Sequence, residues 1–182
     1  MAQNQPLDLR RMVFISLFTA LIIIGGYLSF PIPLSPVPIV LADLFVMLAG
    51  LSLGASSGAA SVGLFLFLGA LGLPVFAGGE AGLVVFLGPK GGFLWGYLAC
   101  ALIVGLISTR GKSSWIKDLF ALIAGNIFLY GIGVPWLKTI LKLSWDKALL
   151  FGLFPFMIGM IIKIMAAIVL IRALRPFLKP SR

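Results

Sequence analysis

Two ionisable residues, Asp43 and Lys163, lie inside long apolar runs of this sequence. A charge left at the middle of a bilayer costs about 2.5–3.5 kcal/mol on insertion scales, so such residues usually face a polar cavity or a partner charge. Lys163 is far from both ends of its run, which makes it difficult for the ammonium to reach the interface by snorkelling. We therefore expect Lys163 to face a cavity, where it would meet an anionic ligand group or Asp43. For Asp43, a structural ion pair and a place in the cavity are equally supported.

Asn126 and Tyr130 are the next candidates, because four residues separate them and a helix would place both on one face. Hydrogen bonds between helices inside a bundle, worth about 0.6–2 kcal/mol, would explain these polar residues. Lining a ligand pocket would explain them equally well. Both interpretations stay open from the sequence.

The residue types that most often support catalysis are scarce. Histidine is absent, and Cys100 is the single cysteine. The sequence therefore lacks the usual general base and the commonest metal ligand, and it cannot form an intrachain disulfide. We predict no enzyme activity, no metal site and no cofactor.

A glycine-rich segment, residues 73–97, interrupts the apolar helical pattern. Its candidate site residues are Gly78, Gly79, Glu80, Gly88, Pro89, Lys90, Gly91, Gly92 and Phe93. Glycine at this density lets the backbone turn sharply and approach a ligand closely. Near a bilayer, such backbone is tolerated only where it is buried in protein or lines a polar cavity. We predict a binding loop laid over a helical bundle, in which Phe93 and Trp95 either stack on a ligand ring or join an interfacial aromatic belt.

The composition requires a membrane to position these residues. Of the 182 residues, 61% are hydrophobic and only 10% are charged, against roughly a quarter charged in a soluble domain. The length leaves no room for a sizeable soluble domain, so residues 1–182 are predicted to form a single polytopic membrane domain.

Six apolar runs are long enough, or nearly so, to cross a bilayer core of about 30 Å. The predicted spans are residues 12–30, 39–54, 59–73, 93–109, 119–137 and 149–174. Residues 31–38, with four prolines, predict a stiff connection of extended or polyproline character, and the GASSG run at 54–58 predicts a tight turn. The fold class is therefore an all-α membrane protein of six transmembrane helices, with the glycine-rich loop between helices 3 and 4 covering an outward-facing pocket.

The basic residues predict the orientation, because cytoplasmic loops carry an excess of Lys and Arg. Nine lie on the side of the two termini: Arg10, Arg11, Arg110, Lys112, Lys117, Arg172, Arg175, Lys179 and Arg182. Four lie on the other side: Lys90, Lys138, Lys142 and Lys147. This predicts a cell membrane protein with both termini cytoplasmic. Contact with the lipid bilayer explains most of the +9 net charge, and nucleic acid is not an expected partner.

Longer motifs carry a family resemblance. The run GLPVFAGGEAGLVVFLGPKGGFLWGY resembles the segment usually seen as LPVFAGG…LLGPTGGYLLG in BioY-type proteins, the biotin-specific S-components of energy-coupling factor transporters. Agreement continues through PVPIVLADLFVMLAGLSLG, YGIGVPWL and PFMIGMIIK, over nearly the whole chain.

The resemblance implies a substrate-capture subunit that binds biotin from the outer face and works with a transmembrane coupling subunit and two ATPases. It implies that the glycine-rich loop forms the lid and that Lys163 meets the ligand carboxylate. Ser16 and Ala20 fall where S-components carry an AxxxA strip that docks the coupling subunit. No phosphate-binding GxxxxGK[ST] loop occurs here, so a partner must supply any ATP-driven step.

Three positions depart from the family pattern. Met160 stands where the family has aspartate in GDxxK, Lys90 stands for the threonine of GPTGG, and Ala42-Asp43 stands for a glutamine–threonine pair. Either Asp43 compensates for the lost carboxylate, or the pocket suits another small anionic cofactor such as lipoate. An ion-coupled carrier or channel, with Asp43 and Lys163 as gating charges, is the remaining alternative.

Overall fold

The computed structural model describes residues 9–33, 35–108 and 114–178. Its elements, in chain order, are α1 Leu9–Tyr27, β1 Ser29–Ile32, β2 Ser35–Val40, α2 Ala42–Ala70, a 3-10 turn Ala77–Gly79, α3 Val84–Leu87, α4 Gly91–Ser108, α5 Trp115–Ile140, α6 Trp145–Gly152 and α7 Phe154–Leu178. The structure is mostly helical, as the sequence predicts.

The helices present a large apolar surface to their surroundings. Side chains such as Phe67, Ile127, Ile158 and Val169 are more than half exposed although they lie within long helices. Five helical stretches of the described chain are long and apolar enough to cross a membrane, the last being residues 145–175. Hydrocarbon-facing helices of this kind satisfy their backbone hydrogen bonds internally, so the protein is a membrane protein.

Helix α2 is broken at Gly54, where the backbone takes φ 77° and ψ −178°. A Cβ added to Gly58 would lie only 3.0 Å from the Cα of Gly50, eight residues earlier. In a continuous helix, residues eight apart are separated by about 12 Å along the axis. The two halves, residues 42–53 and 55–70, therefore fold against each other at Gly54. The predicted turn at 54–58 is one residue in the structure, because glycine alone adopts this positive φ without strain.

The proline-rich connection forms a β-hairpin. Strands β1 and β2 pair antiparallel, with Ser29 opposite Val40 and Phe30 opposite Ile39. The sequence predicted extended backbone for residues 31–38 but not the pairing, because prolines usually interrupt ladders. In a two-stranded sheet both strands are edge strands. Proline, which has no N–H, can therefore occupy positions whose backbone nitrogen faces away from the partner strand. The all-α prediction thus gains one small sheet.

Contacts between helix ends fix which end of the bundle is which. Arg11, at the start of α1, donates hydrogen bonds to Ser56 and Ser57 beside the break in α2. Arg175, near the end of α7, pairs at 2.7 Å with buried Asp118 at the start of α5. A Cβ on Gly105 near the end of α4 would lie 2.2 Å from the nitrogen of Ala55, so these contacts share one end of the bundle. The β-hairpin and the glycine-rich segment lie at the opposite end.

The glycine-rich segment is folded tightly against the bundle. Phe76 is 1% exposed, and its ring meets Phe65 and Phe86 edge-on at 5.3 and 5.5 Å. The indole nitrogen of Trp136 on α5 donates a 3.0 Å hydrogen bond to the carbonyl of Gly88. Tyr27, at the end of α1, donates to the carbonyl of Pro74. The segment is therefore ordered backbone attached to α1, α2 and α5.

Most helix bounds differ from the predicted spans by a few residues. Helix α1 ends at Tyr27 instead of residue 30, because the hairpin begins at Ser29. Helix α5 runs from Trp115 to Ile140, beyond the predicted 119–137 at both ends. The predicted span 149–174 is divided in the structure, because α6 ends at Gly152 and α7 begins at Phe154. Ser144 caps α6 by accepting a hydrogen bond from the backbone N–H of Lys147. Four residues counted for orientation, Arg110, Lys112, Lys179 and Arg182, lie outside the described residues.

Candidate functional site

A cavity opens between the helices beneath the hairpin and the glycine-rich segment. Its empty volume, including the open mouth, is about 670 Å³. The walls come from the hairpin, from both halves of α2 and from α4, α5 and α7. Most wall residues are apolar. The charged wall residues in the described chain are Asp43, Lys90 and Lys163.

Asp43 and Lys163 form an ion pair at the buried wall. The Lys163 Nζ lies 2.6 Å from the Asp43 Oδ2 and donates a second hydrogen bond of 3.0 Å to the carbonyl of Val40. The other carboxylate oxygen accepts the backbone N–H of Leu44 at 3.0 Å. Both side chains are more than nine-tenths buried. Of the two partners that the sequence left open for Lys163, the structure pairs it with Asp43 and places the pair in the cavity.

This pairing depends on the position of each residue along its helix. Asp43 is the second residue of α2, directly after β2, so its carboxylate lies close to the positive end of the helix dipole. Lys163 lies nine residues into α7, deep within the bundle. Breaking a buried pair by removing one partner costs about 3–5 kcal/mol, because the remaining charge is uncompensated. Each buried charge therefore needs the other for the protein to remain stable.

Three aromatic rings form one wall of the cavity. Phe93 of α4, Tyr130 of α5 and Phe156 of α7 have ring centroids 6.2 to 6.4 Å apart. Aromatic rings at such separations stabilise one another beyond the area they bury. The three rings give the cavity an apolar wall.

A second ion pair lies at the mouth. The Lys90 Nζ is 2.7 Å from Glu80 Oε1, and both side chains are partly exposed, 23% for Lys90 and 45% for Glu80. Lys90 lines the main cavity and also two clefts between the hairpin and the glycine-rich segment. Glu80 borders the two clefts.

The remaining predicted residues are spread over several environments. Gly78 borders one cleft, and Gly88 and Pro89 border the other. Gly79 has a positive φ of 78° in the 3-10 turn. Gly91 and Gly92 are packing positions: an added Cβ would lie 1.9 Å from the carbonyl oxygen of Phe86 or 2.2 Å from the Cβ of Trp136.

Asn126 and Tyr130 separate although they share a helix. The Asn126 amide is buried and donates to the carbonyl of Leu122 at 2.8 Å and to the sulfur of Met47 at 3.2 Å. Tyr130 lines the cavity. Helix packing thus accounts for Asn126, while Tyr130 belongs to the cavity wall.

The family comparison identifies what kind of protein carries this site. A profile of the BioY family matches residues 1–180. The chain belongs to the BioY family. The family membership predicted from the sequence is therefore confirmed.

Other BioY proteins resemble this chain over nearly their whole length. The biotin transporter BioY of Rhizobium etli is 40% identical over 90% of this chain and 92% of its own. The biotin transporter BioY of Thermotoga maritima is 37% identical over 87% and 92%. A crystal structure of the S-component for biotin from an ECF-type ABC transporter matches with a TM-score of 0.86 and 35% identity, covering 97% of this chain and 95% of that one.

Several cavity residues of this BioY chain were missed from the sequence. They are Val37 and Pro38 of the hairpin, Phe65, Phe76, Tyr97, Leu129 and Phe156. Tyr97 is buried and lines the cavity. A usable signal was the four-residue spacing between Phe93 and Tyr97, which places both on one face of α4. No such signal exists in the sequence for the aliphatic residues, because cavity-lining and core positions share the same periodicity.

Proposed function

We propose that this BioY chain is the biotin-binding subunit of an ATP-driven vitamin uptake transporter. The observation that carries the proposal is a mainly apolar cavity with separate charged groups at its buried wall and its mouth, in a chain whose relatives are named biotin transporters. The chain itself binds and releases a substrate and performs no reaction.

The shape and chemistry of biotin suit these walls. Its sulfur-containing ring and alkyl chain are apolar, which fits the aromatic wall formed by Phe93, Tyr130 and Phe156. Its ureido group carries N–H donors and a carbonyl acceptor, and its carboxylate is anionic. Asp43, Lys163 and Lys90 supply acceptors and cationic donors for these groups. The glycine-rich segment, from Gly78 to Gly92, covers the mouth.

We further propose six membrane crossings in a single domain over residues 1–182. The halves of α2 reach about 18 Å and about 24 Å at roughly 1.5 Å per residue. Each is shorter than a core of about 30 Å, yet the break at Gly54 reverses the chain direction as two short spans require. The basic residues near the Arg11 and Arg175 end support cytoplasmic termini in the cell membrane, which makes the cavity outward-facing.

The partners follow from the same proposal. The structural relative is described as an S-component of an ECF-type ABC transporter. We propose a transmembrane coupling subunit and two ATPase subunits as partners. The exposed small side chains of Ser16 and Ala20, four residues apart on α1, would let a helix of the coupling subunit approach closely.

Ligand binding to the purified protein tests this function. Protein extracted in detergent should bind biotin tightly in isothermal titration, with about one site per chain. Lipoate, which shares the carboxylate and the sulfur ring but lacks the ureido group, should fail to displace labelled biotin. Displacement by lipoate with no binding of biotin would contradict the proposal. Uptake in cells lacking any ATPase partner would instead favour an ion-coupled carrier or channel.

A further inference from the structure

The buried wall of the cavity carries no net charge. Lys163 and Asp43 neutralise each other at 2.6 Å. Together they can still donate and accept further hydrogen bonds. An ammonium has three N–H donors, of which Lys163 uses two, on Asp43 and on the carbonyl of Val40. The carboxylate of Asp43 keeps unused lone pairs. Such a pair suits a neutral group that both donates and accepts hydrogen bonds.

A carboxylate is the wrong group for this wall. Placed beside Lys163 it would also lie beside the carboxylate of Asp43, and like charges at close range in a poorly solvated site repel strongly. It would also lose its hydration in a region where both side chains are more than nine-tenths buried. The ligand's negative charge therefore needs a cation elsewhere in the cavity.

Lys90 is that cation. It lines the main cavity and keeps contact with solvent, so a carboxylate there stays partly hydrated. Its present partner, Glu80, borders the outer clefts and is 45% exposed. Exposed ion pairs of this kind are weak, because water and salt screen them. A ligand carboxylate can replace Glu80 as the partner of Lys90 at little cost.

We propose that Lys90 binds the ligand carboxylate at the mouth of the cavity, while the Asp43–Lys163 pair binds the ureido group at the buried wall. This inference rests on the proposed biotin-binding function and goes beyond it, because it fixes the orientation of the ligand. It makes Lys90 the residue that selects an acid over its uncharged analogues.

The test compares biotin with biotinamide, which is neutral but otherwise nearly identical. In titrations of the purified protein, the wild type should prefer biotin. Lys90→Gln should reduce that preference roughly tenfold, the size expected for losing a hydrogen bond between charged groups. Lys147→Gln removes an exposed positive charge elsewhere on the protein and should leave the preference unchanged. Raising the salt concentration should weaken the preference of the wild type but not that of Lys90→Gln.

Glu80→Gln separates a direct contact from a purely structural role for Lys90. If Lys90 binds the carboxylate, freeing it from Glu80 should retain or increase the preference for the acid. If Lys90 only holds the loop through Glu80, both variants should lose affinity for biotin and biotinamide equally, which would overturn the inference. A preference that survives Lys90→Gln but is lost in Lys163→Gln would place the carboxylate at the buried wall and overturn it too. A wild type that binds neither compound contradicts the biotin-binding function itself.

Discussion

At the scale of single residues, the site depends on a buried ion pair between two residues that lie far apart in the sequence. Asp43 and Lys163 are separated by 120 positions in the sequence and by 2.6 Å in space. A bare carboxylate or ammonium in this environment would be costly, so the pair is a condition of folding, and the proposed function makes it a ligand contact as well.

Mutations of the charge pair should affect stability and biotin binding differently. Asp43→Asn and Lys163→Ala should each lower the free energy of unfolding by about 3–5 kcal/mol, because each leaves one buried charge unpaired. The double variant Asp43→Leu with Lys163→Met should recover most of that stability. It should nevertheless bind biotin at least about tenfold more weakly, since it loses hydrogen bonds to the ligand.

Thermal unfolding in detergent and titration with biotin measure the two effects separately. Lys147→Gln, an exposed position outside the cavity, is a suitable control for both. A double variant that binds biotin as the wild type does would exclude the pair from the site. Single variants as stable as the wild type would contradict the dependence of each charge on the other.

At the scale of secondary-structure elements, close packing of α4 against α5 holds the glycine-rich segment over the cavity. Gly92 leaves space for Trp136, whose indole N–H binds the carbonyl of Gly88. A helix normally disfavours glycine by about 1 kcal/mol relative to alanine, so Gly92 is explained by its packing and not by its propensity.

This packing predicts opposite effects for two glycine-to-alanine changes. Gly92→Ala places a Cβ 2.2 Å from the Cβ of Trp136, so α4 and α5 must separate. We expect a loss of about 1–3 kcal/mol in stability, typical of overpacking, together with weaker biotin binding. Gly131→Ala lies within α5 with no atom within 4 Å of the added Cβ, and it should be neutral or slightly stabilising. Equal melting temperatures for the two variants would contradict this account of the loop.

At the scale of the whole molecule, the bundle has two different ends. One end joins the start of α1, the break in α2, and the Asp118–Arg175 pair. The other carries the hairpin, the glycine-rich segment and the cavity mouth. A substrate-capture protein needs this asymmetry, because the site must open toward the substrate while the other end faces the cell.

Cysteine labelling in intact cells tests the orientation. In a Cys100→Ala background, Lys147→Cys should react with a membrane-impermeant maleimide added from outside. Ser114→Cys, exposed and at the opposite end, should react only after the membrane is permeabilised. Labelling of Ser114→Cys alone in intact cells would place the cavity mouth on the cytoplasmic side.

Much of the architecture is predictable because hydrophobicity and backbone constraints act locally. The apolar runs identify helices α1, α4, α5 and α7 to within several residues, and the density of glycine marks the segment between α2 and α4, where the structure has only a 3-10 turn and the one-turn helix α3. The hairpin was predicted only as extended chain. Its pairing depends on β1 meeting β2, which single-strand propensity does not specify.

Individual site residues are less predictable than elements, as Asn126 and Tyr130 demonstrate. Periodicity places them on one face of α5, yet Asn126 bonds to Met47 and Leu122 whereas Tyr130 lines the cavity. Two residues on the same helix face, four positions apart, have different neighbours. The packing of the other helices decides that Asn126 contacts a side chain whereas Tyr130 borders the cavity.

The sequence by itself determined that this is a membrane protein of the BioY family, that Asp43 and Lys163 are too costly to be incidental, and that a glycine-rich segment interrupts the long apolar helices. Those conclusions follow from transfer energies, backbone sterics and motif matching, which need no knowledge of neighbours. The tertiary structure alone decided that Asp43 is the partner of Lys163 and that Lys90 lies at the mouth with Glu80. Charge pairing acts over a few ångströms of space, and the fold alone brings residues 120 positions apart within that distance.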